Sequence, residues 1–323
     1  MNNLEILGQV SQRHIAVIGD MMVDRYIWGK TSRISEEAPV PVVQVQSRSE
    51  TLGGAANVLR NLACLGARTS AFGAVGQDPG GDSFAALCAE DGIDTRGIVI
   101  TPERPTTRKS RVVCGRQQML RLDDEVTSAI AVETTAEICA RFEALLAEDP
   151  PDAVIIEDYC KGCVSQELAG HVVAIANSAG IAVALDPHPG NRLWVQDLVL
   201  LKPNCAEAYA MANLPAEAPL EAVVQTLLER WQAKNLLITL GRRGMALAQE
   251  DGTLAYIATA PREVFDVSGA GDTSIATFVA CLASGASPLQ AANIANEAGG
   301  VVVTHVGTVP ITLCELRNAL AVS

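Results

Sequence analysis

Short, continuous apolar runs alternate along this chain with longer stretches in which apolar residues recur every three to four positions. The runs at 14–19, 69–75, 153–157, 181–185, 198–201 and 236–240 predict strands covered on both faces, because a strand with one wet face would show a polar residue at every second position. The periodic stretches predict helices at 55–65, near 83–89 and 133–147, at 166–178, from about 206, at 220–231, and at about 270–283 and 288–301. Strand followed by helix, repeated, is the pattern of a parallel sheet sandwiched between helices, a three-layer α/β/α core. Two segments break the rhythm. Residues 24–50 and 105–123 are rich in β-branched, aromatic and Arg residues in extended patterns, and they predict a small β-lid beside the core. Neither an internal repeat nor a low-complexity linker divides the chain, so residues 1–323 read as one domain.

Composition narrows the partners. With 323 residues, 49% of them hydrophobic and 19% charged, the chain can bury a large core. A net charge of −13 lacks the broad basic field that a nucleic acid or an anionic membrane surface demands. No run of about 18 uncharged apolar residues occurs, and residues 1–10 carry no long apolar core, so the expectation is a soluble, cytoplasmic protein. The nine cysteines are an odd number scattered through predicted elements, as reduced core thiols would be. Cys160-x-x-Cys163 has neither a second pair nor a His pair to complete a zinc site, and the four histidines share no spacing and no nucleophile.

The densest chemistry lies in Asp266-Val267-Ser268-Gly269-Ala270-Gly271-Asp272-Thr273, a glycine turn and a carboxylate just ahead of an apolar helix. Gly269 and Gly271 let backbone N–H groups converge, and the helix adds the positive end of its dipole, so an anionic oxygen is the natural guest. Asp272 stands where it would take the proton of an acceptor hydroxyl while the amides of Gly269, Ala270 and Gly271 hold a transferring phosphoryl group. Spacing alone leaves a second reading open, a plain turn with Asp as helix cap. Arg108, Lys109, Arg111, Arg116 and Arg121 lie within 105–122 without one Asp or Glu, in a chain that is otherwise acidic. That excess suits an anionic small ligand such as a sugar phosphate, and equally the solvated face of an edge strand. No Gly-x-Gly-x-x-Gly follows the first strand and no Gly-x-x-x-x-Gly-Lys-Ser/Thr occurs, which disfavours a nicotinamide oxidoreductase and a Walker-type kinase.

Four motifs stand in order along the chain: Gly53-Gly54-Ala55-Ala56-Asn57, Lys202-Pro203-Asn204-Cys205-Ala206-Glu207, Thr239-Leu240-Gly241-Arg242-Arg243-Gly244, and Asp-x-x-Gly-x-Gly-Asp ending at Asp272. Together they resemble the ribokinase/PfkB family of carbohydrate kinases over almost the whole length. A narrower resemblance lies in the stretches 19–26 and 31–42, in Arg116-Gln117-Gln118 with Arg121-Leu122-Asp123, and in Asp158-Tyr159 with Lys161-Gly162. These are similar to the kinase domains of bacterial ADP-heptose synthases. That group phosphorylates the anomeric hydroxyl of D-glycero-D-manno-heptose 7-phosphate to the 1,7-bisphosphate, a precursor of the lipopolysaccharide core. Its members often carry a fused nucleotidyltransferase domain with a His-x-Gly-His motif; this sequence has no such motif and ends at Ser323, so a stand-alone kinase is expected. One departure stands out, His188-Pro189-Gly190 where the resemblance places a Lys after Asp186-Pro187.

The resemblance implies a ribokinase-like core, dependence on ATP and Mg²⁺, and a homodimer formed through the lid. It implies Asp272 as base, with Asn204 and Glu207 holding Mg²⁺ through water, although the same pair also reads as a helix cap. Lys202, Thr239, Gly241 and Asn296 fall on the nucleotide side of the cleft. Asp24, Gly53, Gly54 and Asn57 match the sugar-hydroxyl set; Asp158 is a further candidate for the sugar. Arg33, Lys109, Arg111, Arg116, Arg121 and Lys161 are the candidates for the phosphate already on the sugar. Asp266, Ser268 and Gly307 match a monovalent cation site, K⁺, found in some relatives. The competing expectations are a kinase of the same family acting on a hexose phosphate or ketose, and a sugar-phosphate sensor without catalysis.

Overall fold

The computed structural model describes residues 1–115, 117–260 and 262–322. In chain order the strands are β1 (His14–Gly19), β2 (Met21–Ile34), β3 (Pro41–Gly54), β4 (Arg68–Gly76), β5 (Asp94–Thr101), β6 (Thr107–Cys114), β7 (Gln117–Asp124), β8 (Ala153–Glu157), β9 (Ala182–Asp186), β10 (Leu200–Leu201), β11 (Asn235–Thr239), β12 (Met245–Gln249) and β13 (Leu254–Ile257). The helices are α1 (Asn3–Gln9), α2 (Ala55–Cys64), α3 (Pro79–Glu90), α4 (Val132–Glu148), α5 (Gln166–Ser178), α6 (Cys205–Ala212), α7 (Leu220–Trp231), α8 (Ala270–Ala283), α9 (Pro288–Val302) and α10 (Leu313–Val322).

The apolar runs form one nine-stranded sheet in the order β13-β12-β11-β10-β9-β8-β1-β4-β5, parallel from β5 to β11 and antiparallel at β12 and β13. Every residue of β1 is buried, and successive side chains enter different cores. Ile15 and Val17 pack with Leu59 of α2, Phe278 of α8 and Ile294 of α9; Ala16 and Ile18 pack with Phe142 of α4 and Leu168 of α5. That division is the three-layer α/β/α arrangement, and it accounts for the unbroken apolar runs. Fully burying each of these Val, Ile, Leu and Phe side chains contributes about 1.5–3 kcal/mol against the unfolded chain. Among the described residues no helix is long and apolar enough to cross a membrane.

β1 is flanked by β4 on one side and β8 on the other, so the strand order reverses there and a crevice opens at the carboxyl ends of the strands. Register sets what lines it. Gly19 pairs with Glu157 and Glu157 with Asp186, placing two strand-final carboxylates side by side.

The lid is a four-stranded sheet in the order β3-β2-β6-β7. Its first hairpin is longer than the expected 24–50, running from Met21 opposite Gly54 to Ile34 opposite Pro41. The extra length is the buried root, Met21 to Asp24 and Leu52 to Gly54, where lid and core merge. The sequence pattern also passed over β5, the antiparallel pair β12–β13, and the terminal helices α1 and α10. α1 has only seven residues and rests on a capping box between Asn2 and Glu5.

Candidate active site

Asp272 lies in the first turn of α8 and is only 7% exposed. Gly269 precedes the helix with φ of 80°, a conformation L side chains rarely adopt, and a Cβ there would sit 2.9 Å from Nδ2 of Asn57. With no side chain at 269, Asn57 reaches past the turn and donates to Asp272 Oδ2 at 2.7 Å. The Tyr159 hydroxyl donates to Oδ1 at 2.6 Å, so both carboxylate oxygens are held. Burial pushes the Asp272 pKa above the ordinary carboxylate value, against the pull of these two hydrogen bonds and of Lys202. α8 has no side-chain cap, and the amides of Gly271 and Asp272 find no acceptor among the described residues. The Ala270 amide is engaged by the Val267 carbonyl at 3.3 Å, so Ala270 is the one member of the expected amide set already bonded within the turn.

Behind Asp272 the strand ends supply a buried ionic floor. Lys202, 3% exposed, follows β10 and bonds Asp186 Oδ2 at 2.6 Å. Burial works against its charge, but Asp186 and Glu157 override it and raise the Lys202 pKa. Burial lifts the Asp186 carboxyl to about 6, opposed by Lys202, and burial with the neighbouring Asp186 charge lifts Glu157 well above its ordinary value. A cavity of about 750 Å³ opens over this floor. Lys202, Asn204, Glu207, Thr239, Gly241 and Asn296 all line it, so the structure brings together every residue expected on the nucleotide side.

Their local bonds differ. Asn204 Oδ1 accepts from the Glu207 amide at 3.0 Å and Glu207 Oε2 from the Asn204 amide at 2.8 Å, a capping box that starts α6 at the cleft wall. Asn296 donates to the Ala258 carbonyl and accepts from the Thr259 hydroxyl. Gly241 begins a single helical turn with φ of 61°. His188, which stands in place of the expected Lys, lines the cleft and takes the Gly190 amide on its own Nδ1 at 3.1 Å.

On the lid side, Asp24 is 5% exposed and accepts from Arg111 at 2.7 Å and from the Thr308 hydroxyl at 3.3 Å. Gly53 lies against it, since a Cβ at 53 would fall 2.9 Å from Asp24 Oδ2. Gly54, with φ of 55°, turns β3 into α2 and so delivers Asn57. Asp266 accepts from the amides of Ser268 at 2.9 Å and Gly307 at 3.1 Å; burial opposes its ionisation, but those bonds carry its pKa below the ordinary value. Asp158 is buried with Oδ2 unbonded, and burial raises its pKa to about 7.

The expected phosphate-binding cations separate into groups. Lys161 pairs with Glu125 at 2.6 Å, Arg111 with Asp24, and Arg121 with Asp123 at 2.8 Å. Arg33 is exposed near the hairpin tip. Arg116 lies outside the described residues. Lys109 has no carboxylate partner among the described residues; its ammonium sits over the Tyr159 ring, 5.5 Å from the centroid. Burial and the nearby Lys161 charge lower its pKa.

Sequence reasoning missed Tyr159 as a partner of Asp272, and Glu157 and Asp186 as the floor. The signal for the floor was available, because both are the last residues of neighbouring parallel strands. Nothing in the local sequence marks the Tyr159 contact, which spans 113 positions.

A family description, pfkB family carbohydrate kinase, matches residues 12–313. Over 309 residues, 95% of this chain, the sequence is 41% identical to the bifunctional protein HldE of Methylobacillus flagellatus, and it spans 63% of that protein's length. The fold superposes on Arabidopsis thaliana ribokinase complexed with ribose and ATP with a TM-score of 0.73 at 20% identity, covering 96% of this chain and 99% of the other. On Escherichia coli phosphofructokinase-2 in complex with potassium the TM-score is 0.78 at 18% identity, covering 96% and 98%.

Proposed function

The chain belongs to the pfkB family of carbohydrate kinases, and from that premise we propose that it transfers the γ-phosphoryl group of ATP to the anomeric hydroxyl of D-glycero-D-manno-heptose 7-phosphate. The observation that carries the reading is the position of Asp272, between a cleft large enough for a nucleotide and a lid that presents a half-buried Lys109 with no ion pair among the described residues. A sugar that already bears a phosphate can then place one end on the lid and its reacting hydroxyl at the base.

In this reading the amides of Gly269, Gly271 and Asp272, which have no acceptor among the described residues, steady the transferring oxygens, and Asp272 accepts the hydroxyl proton. Asp24, Gly53, Gly54 and Asn57 shape the sugar subsite, with Asp158 beside it. Thr239, Gly241 and Asn296 border the nucleotide. Asn204 and Glu207 present hard oxygen ligands at the same wall, the donor type that suits a hydrated Mg²⁺, which when bound neutralises phosphate charge. Asp266, held ionised and joined by Ser268 and Gly307, fits a K⁺ ion. Ile34, Val45, Leu120 and Leu122 leave the lid with exposed apolar side chains, which supports a homodimer through this sheet.

The test is ADP release over a panel of sugars and sugar phosphates, with Asp272→Asn as control. Turnover on the heptose phosphate and not on hexose phosphates supports the full reading. Turnover confined to a hexose phosphate or a free ketose removes the heptose assignment, and no turnover above the control removes the kinase activity.

A further inference from the structure

We propose that Tyr159 is a positioning residue for Asp272, fixing the carboxylate from the sheet end while Asn57 fixes it from α2, and that Lys109 ties this clamp to the lid. The proposal rests on the reading of Asp272 as the base. Tyr159 lies two residues past Glu157, the last residue of β8, in a loop whose backbone amides are anchored on the Asp20 carboxylate. Asp20 accepts the amides of Tyr159 at 2.9 Å, Lys161 at 3.0 Å and Cys163 at 2.9 Å, and Cys160 adopts φ of 55° between them. The phenol is therefore aimed by its backbone, and its hydroxyl meets Asp272 Oδ1 at 2.6 Å.

Two donors, one on each oxygen, favour the ionised carboxylate over the protonated one and fix its plane. Burial and the Asp272 charge raise the Tyr159 pKa, so the phenol stays a donor across the working range. The other charges facing Asp272 are Lys202, which favours ionisation, and Asp24 on the lid, which opposes it, with Glu157 and Asp186 in the floor beside them. Of the two side chains that hydrogen-bond Asp272 among the described residues, Tyr159 is the one whose ring also meets a lid cation. The Lys109 ammonium over its ring polarises the phenol toward donation and braces the ring from the side where a sugar phosphate would enter.

The experiment compares wild type, Tyr159→Phe, 3-fluorotyrosine at 159 and Lys109→Met in two readouts. One is the pH profile of kcat with the sugar phosphate that the panel identifies. The other is the carboxyl titration of Asp272 by carbon NMR in the substrate-free protein. Tyr159→Phe should move the acid limb and the carboxyl midpoint up by about one pH unit. On the acid side of that limb its kcat should fall by up to about tenfold, and the deficit should vanish on the plateau above it. The fluorinated residue, a stronger donor, should move both the other way, and Lys109→Met should move them up by less than the Phe variant. Coincidence of the wild-type and Phe titrations overturns the clamp, and an unmoved limb in Lys109→Met overturns its tie to the lid. If wild type turns over no sugar phosphate, the substrate reading fails by itself, and the carboxyl titration still decides the role of Tyr159.

Discussion

The cleft floor and the outer part of the lid hold their charges in opposite ways, with the buried Asp24–Arg111 pair of the lid siding with the floor. In the floor, Glu157, Lys202 and Asp272 are buried and Asp186 is nearly so, with Lys202 and Asp186 joined at 2.6 Å. On the lid, Arg121 and Asp123 pair at 2.8 Å with half of the arginine side chain exposed, and Lys109 has no anionic partner at all among the described residues. Groups that must be poised at the moment of transfer gain from being fixed in place within a dry site, where reorganisation is costly. A group that must catch a charged ligand gains from a charge that no neighbouring carboxylate already holds in an ion pair. The difference separates the place of chemistry from the place of capture.

The comparison breaks most visibly at Lys202. Lys202→Met leaves two carboxylates buried without their cation, and the expected loss is about 3–5 kcal/mol of folding stability in a denaturant titration. A loss below about 1 kcal/mol would mean that the floor is solvated and no different from the lid.

Asp158, at the border of the two regions, gives an intermediate effect with a sign. Its carboxyl titrates at about 7 when folded, against an ordinary 3.8, because burial penalises the charge. The folded state therefore holds this proton more tightly than the unfolded chain does, and stability falls as pH rises from about 4 to 7. Asp158→Asn cannot ionise and keeps an oxygen for the Cys160 amide, so its Tm should exceed that of wild type by about 2–4 °C at pH 8. The gap should close below pH 4, and a gap independent of pH would contradict the assignment.

The smallest effect belongs to the lid surface. Arg121→Ala should change stability by less than about 1 kcal/mol, since an exposed pair gains little over its hydration. Its KM for the sugar phosphate should move less than that of Lys109→Met. The reverse order would place phosphate capture at the outer strand β7.

Much of this difference was legible in the sequence, and the exceptions have physical reasons. Continuous apolar runs identify β1, β8, β9 and β11 because burial on both faces leaves no choice of residue type. β12 and β13 escape because short antiparallel strands carry a weak pattern, Ala-rich in Met245–Gln249 and four residues long at the edge strand β13. The glycine turn and Asp272 announce themselves, as do Asn204 and Glu207, since each set is local in sequence. What the residues alone left open was how distant pieces meet. Arg108, Lys109, Arg111 and Arg121 look alike as letters, and the register of β6 even seats Lys109 opposite Asp24 and Asp123; only the side-chain contacts show that Asp24 pairs with Arg111, Asp123 with Arg121 and Asp124 with Arg108, leaving Lys109 without an ion pair among the described residues. Tyr159 escaped for the same reason.

The measurement that bears most directly on the central claim is single-turnover phosphoryl transfer from ATP to heptose 7-phosphate by wild type and Asp272→Asn at matched stability. The account predicts that the substitution lowers the rate by about 10²–10⁴-fold and leaves nucleotide binding intact. A variant that transfers phosphate at the wild-type rate would show that Asp272 only holds Asn57 and Tyr159 in place and does no chemistry.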